Sequence, residues 1–151
     1  MKGMKNEAEM ALKASEKYSE EMGDFSSKLT TLLNKIIYLI ATERFDEILK
    51  LSPLPTGTGV MKFDYSARAL DAAMALKRGD SETFYSESRK IVSDLWDGSA
   101  LYNVIFYPFL ILGLARAKFA DDDSVIGLIK GIFTGKKASA EMAKIAEILR
   151  R

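Results

Sequence analysis

Residues Ala100–Ala115 read ALYNVIFYPFLILGLA, the most apolar run in the chain. Where that run sits decides the fold. As a helix it would span about 24 Å. A bilayer's hydrocarbon core is roughly 30 Å thick and takes about 20 apolar residues. Asn103 and Pro108 interrupt the run, and Arg116 and Lys118 follow it directly. The run therefore reads as a core helix, apolar all round because other helices surround it. Pro108 has no amide to donate and crowds the preceding turn, which predicts a kink or a new helix starting there. Tyr102 and Tyr107 are expected at the edge of the core, where their hydroxyls find partners.

Outward from this segment the chain is ordinary in bulk and unusual in what it lacks. Its 151 residues suit a single domain, taken here as 1–151, with a core that needs no covalent staples. Lys and Arg total 22 against 21 Asp and Glu, so net charge gives no global argument for nucleic acid or anionic lipid. There is no Cys and no His. That removes thiolate nucleophiles, Cys or His zinc sites, His-ligated haem and Ser-His-Asp triads. Carboxylate sites for magnesium or manganese, Lys or Arg anion sites, and binding without chemistry remain. The N-terminal stretch mixes Lys with Glu and has no apolar h-region, so no secretory signal is read. A cytoplasmic location and no membrane association are expected.

From Met4 a seam recurs at spacings of four and three through Ala8, Ala11, Ser15, Tyr18, Met22, Phe25, Leu29, Leu32, Ile36 and Leu39. Gly23-Asp24 sits on the seam and favours two helices over one. Leu33, Ile37 and Ile40 widen the second half into a core-facing stripe. The first half buries little area, so 1–23 is expected to be a docking or mobile helix with Met4, Ala8, Ala11, Tyr18 and Met22 as a partner interface. Residues 52–64 form a Pro/Gly loop, with Val60–Phe63 extended or a short edge strand. Helices are predicted over 65–78, capped by Asp64 or Ser66, and over 81–97, with Asp80 or Ser81 as cap. The second carries the clearest stripe, Phe84, Tyr85, Ser88, Ile91, Val92, Leu95 and Trp96. With the 100–115 segment it is expected to form the centre. Two short helices follow, after ADDDS and after TGKKAS. The prediction is an all-α, single-domain multi-helix bundle of six or seven helices with little or no strand.

Chemistry-bearing patterns are few. TGTG at 56–59 follows a Pro-rich turn, so it lacks the strand–loop–helix context of a phosphate cradle. GIFTGKK at 131–137 is one residue short of a P-loop, and Gly135 reads as a helix C-cap. Glu20-Glu21-x-x-Asp24 followed by Glu43-x-x-Asp46 is better spaced, because residues three apart share a helix face. This pattern resembles the paired acidic motif of the all-α nucleoside triphosphate pyrophosphatases. The resemblance implies a magnesium-dependent pyrophosphohydrolase with Glu21, Asp24, Glu43 and Asp46 as metal ligands. Asp24 stands where that family has Glu, and Gly23 interrupts the motif.

Toward the end of the chain Lys130, Lys136, Lys137, Lys144, Arg150 and Arg151 outnumber Glu141 and Glu147. A basic face of this kind suits a nucleic-acid backbone, and it has no interleaved aromatics for base stacking. The functional expectation is a non-enzymatic helical protein-interaction subunit. It would self-associate or join a larger assembly, for instance a ribonucleoprotein, and need no cofactor. In size and class alone the chain is similar to the small helical subunits of CRISPR effector complexes. Magnesium enters only under the pyrophosphohydrolase alternative.

Overall fold

In a computed structural model the described residues are 2–22, 25–42, 44–51, 54, 57–96, 102–133 and 138–151. Among them the chain forms eight α-helices, one 3-10 turn and no strand, so the all-α expectation holds. It divides into two compact units, 1–50 and 51–151.

The first unit holds α1 (Lys2–Met22), α2 (Phe25–Ala41) and α3 (Phe45–Leu49). Lys2–Met22 and Phe25–Ala41 are thus separate helices packed on each other, and Gly23 and Asp24, read as the break between them, lie outside the described residues. Helix α1 packs along α2, with Leu12 buried. On α2 the buried positions are Leu29, Leu33, Ile36, Leu39 and Ile40, while Leu32 of the predicted seam is only half-buried. The broad stripe thus overrides the strict heptad, as a helix lying on a core requires. Helix α3 is the additional element beyond the predicted six or seven. Thr42 ends α2 by donating its hydroxyl to Tyr38 O at 2.9 Å, and the Arg44 amide reaches back to Leu39 O at 2.9 Å. A side chain that bonds the preceding turn competes with helix continuation. The chain then restarts at Phe45, with Arg44 paired to Glu47.

The second unit holds α4 (Met61–Lys77), α5 (Ser81–Leu95), α6 (Tyr102–Phe119), the 3-10 turn at Asp123–Val125, α7 (Ile126–Phe133) and α8 (Ala138–Leu149). Its most extensive helix contact is between α4 and α6, not α5 and α6. This corrects the expected centre. Helix α4 buries Ala67, Ala69, Ala72, Ala73 and Ala75 together with Phe63 and Leu70. Small side chains let helix axes approach closely, so an Ala-rich helix of modest hydrophobicity takes the middle. Helix α5 covers it with Phe84, Ser88, Ile91, Val92 and Leu95 of the predicted stripe, while Tyr85 and Trp96 are half-buried. On the rim between α4 and α5, Arg68 lies between Glu87 at 3.3 Å and Asp94 at 3.4 Å, and over the Tyr65 ring at 5.0 Å. Ser88 is fully buried, and its hydroxyl has no hydrogen-bond partner among the described residues.

Helix α6 runs unbroken through Pro108. The amide that Pro108 lacks would have bonded residue 104, so the helix forgoes that single bond. Phe109, Leu110, Ile111 and Leu112 are completely buried, each contributing about 1.5–3 kcal/mol over exposure. Four consecutive buried positions surround the helix, which answers the question raised by its sequence. No helix among the described residues is long and apolar enough to cross a membrane. Tyr107 is half-buried, and burial raises the pKa of its hydroxyl. Gly113 permits the approach of the next segment: a Cβ there would meet Val125 Cγ1 at 2.5 Å.

Candidate interaction surface

Leu12 anchors α1, and the helix geometry turns every third or fourth residue on the opposite side outward. Glu7, Met10, Ala14, Lys17 and Glu21 lie there, and all are exposed. Met10 is the largest exception to apolar burial among the described residues, with 72% of its surface exposed. It borders a shallow, open depression of about 310 Å³ with Asn6, Glu9 and Lys13. Glu9 and Lys13 pair at 3.3 Å across one helical turn, a surface contact worth only a few tenths of a kcal/mol. Of the predicted interface, Ala11 is exposed. The side chains of Met4, Ala8, Tyr18 and Met22 lie outside the described set. Sequence reasoning passed over Met10 because it falls between heptad positions. The available signal was its separation of about 200° from Leu12.

In the second unit the loop–helix junctions are held by carboxylates of the chain itself. Helix α4 begins at Met61 with extended Val60 before it, so neither Asp64 nor Ser66 caps it, and no strand forms. Asp64 sits in the first turn and reaches backward. It accepts from the Thr58 amide at 3.0 Å, the Thr58 hydroxyl at 2.7 Å and the Gly59 amide at 3.2 Å. Gly57 and Gly59 have φ of 66° and 79°, the left-handed backbone that turns amides toward one anion. The anion here is Asp64, which occupies the place a phosphate would need. Partial burial works upward on its carboxyl, but the Thr58 and Gly59 donors hold it below the ordinary range. Asp80 caps α5 as predicted, accepting from the Thr83 amide at 3.1 Å.

In the acidic run before α7, Asp122 is also committed. Asp122 caps the 3-10 turn through Ser124 and receives Arg116. Arg116 is only 7% exposed, and its guanidinium donates to Asp122 Oδ2 at 2.7 and 3.1 Å and to Ile148 O at 2.7 Å and lies over the Tyr85 ring at 5.4 Å. One side chain thus joins α5, α6, the 3-10 turn and α8. From the sequence it looked like a flank of the apolar run.

Of the four acidic residues read as metal ligands, Glu21 ends α1 exposed and Asp46 lies exposed in α3, whereas Asp24 and Glu43 fall outside the described residues. Among the described residues no three carboxylates gather as a metal site would require. At the basic end Lys130, Lys144, Arg150 and Arg151 are exposed, and Lys136 and Lys137 lie outside the described residues, as does Gly135. Lys144 faces Glu141 at 3.9 Å. Arg150 pairs with Glu147 at 3.1 Å and donates to Trp96 O at 3.0 Å, tying α8 to the end of α5. Part of this charge therefore serves the fold. The chain matches no protein-family model, no curated protein and no solved structure.

Proposed function

We propose that the chain is a non-enzymatic helical interaction subunit that docks through the outer face of α1. The supporting observation is Met10, 72% exposed at the middle of a helix whose opposite side is anchored by Leu12. A large flexible apolar side chain left in water is readily covered by a partner. The absence of Cys and His adds support, since the commonest catalytic and metal-binding side chains are missing.

The test compares the full chain with a Met10→Asp variant by light scattering and by pull-down from source cells. The position is exposed, so the substitution leaves the fold intact. The reading expects an association present in the parent and lost in the variant. Identical masses and identical captured proteins overturn it. A labelled oligonucleotide bound equally by both chains, with steep salt dependence, transfers the role to the basic end instead.

A further inference from the structure

We infer that the occupant of the α1 face is a second copy of this chain, with the two α1 helices antiparallel and Glu7 of each opposite Lys17 of the other. This rests on the proposal that α1 is the docking element and specifies its partner. The outward row Glu7, Met10, Ala14, Lys17, Glu21 has the alternating three–four spacing of a helix–helix seam. Glu7 and Lys17 are both exposed, and neither has an ion-pair partner among the described residues. They lie about 15 Å apart along the helix.

Charge selects the arrangement. A parallel pair would set Glu7 on Glu7, Lys17 on Lys17 and Glu21 on Glu21 of the other copy, all repulsive. An antiparallel pair shifted so that Glu7 meets Glu21 is repulsive as well. With the two-fold axis at residue 12, Glu7 meets Lys17 twice, Met10 covers Ala14 twice, and Glu21 faces Gly3. Large against small and acid against base are both satisfied by this single register. The interface is isologous, so it closes at two copies. Two helices about 30 Å long bury an area at the low end of specific interfaces, so the dimer is weak and concentration-dependent.

Sedimentation equilibrium on the full chain, with Glu7→Lys, Lys17→Glu and the double variant, tests this. Each single reversal turns two attractions into two repulsions and is expected to weaken dimerisation roughly tenfold or more. The double variant restores it to within about threefold. An equimolar mixture of the two singles forms a heterodimer, because each then carries the charges the other needs. A chain that stays monomeric at millimolar concentration overturns the inference, as does a dimer indifferent to all three variants. Either result leaves the docking role of α1 standing if Met10→Asp still abolishes capture of a different protein. That role fails separately if Met10→Asp changes nothing.

Discussion

Replacing Arg116 with Met keeps the apolar stem of the side chain and removes the guanidinium with its charge. Four contacts change: two hydrogen bonds to Asp122, one to Ile148 O and the stacking on Tyr85. Breaking a fully buried ion pair costs about 3–5 kcal/mol. Two details lower that here. The Asp122 side chain is 30% exposed and keeps the Ser124 amide and hydroxyl as donors. Ile148 O keeps the Arg151 amide at 3.2 Å. A loss of about 2–3 kcal/mol is therefore expected, equivalent to roughly 10–15 °C for a unit near 100 residues. Urea titration followed by the fluorescence of Trp96, the single tryptophan, reports on the unit that contains Arg116. The midpoint should fall with the slope unchanged. Asp122→Asn should cost about half as much, and the double variant should be less harmful than the sum. A loss below about 1 kcal/mol for Arg116→Met would refute the reasoning. It would mean that dehydrating the guanidinium already cancels what its partners return.

Acid should expose the same contact. The Ser124 hydroxyl above all holds the Asp122 carboxyl below its ordinary range; partial burial opposes this, and the Ser124 amide and Arg116 assist it. A carboxylate depressed in the folded state contributes stability above its unfolded pKa of about 3.9 and loses it as pH falls through the folded value. Stability measured from pH 6 down to 2 should therefore drop more steeply below about pH 4 in the parent than in Asp122→Asn. Gly113→Ala should destabilise by about 1–3 kcal/mol in thermal melts, because its Cβ would meet Val125 Cγ1 at 2.5 Å, and much of the loss should vanish in a Val125→Ala background. Gly127→Ala meets nothing within 4 Å in α7 and should stabilise by about 0.5–1 kcal/mol. Ser88→Ala removes a buried hydroxyl without a partner and should be neutral or stabilising by about 1 kcal/mol; a clear loss would reveal a bond to bound water.

The elements that were legible in advance are those with one dominant signal. Helix α5 was marked by an uninterrupted apolar stripe and an Asp cap, and α6 by hydrophobicity on every side. The start of α4 differs from the expected residue 65 because four alternating residues at 60–63 suit an extended strand as well as a first helical turn. The central place of α4 was hidden because alanines advertise little hydrophobicity, although their size is what allows close packing. Arg116 was opaque for another reason. Its partners lie 6 and 32 positions away, and only the fold brings the acidic turn and the end of α8 to the same guanidinium. The α1 surface was half legible. A heptad written through small residues cannot separate Ala11 from Leu12, and burial did.

Helix α8 supplies Met142, Ile145, Ala146 and Leu149 to the core, and its last turn receives Arg116 and sends Arg150 to Trp96. On the ribosome α6 emerges before this cover exists. Roughly 30 further residues must be made, which takes about 2–6 s at ordinary elongation rates. For that interval the greasiest helix in the chain has only its earlier neighbours for shelter. A nascent chain stalled with α8 still inside the ribosome should be a strong client for chaperones that recognise uncovered apolar helices, and one in which α8 has emerged should not.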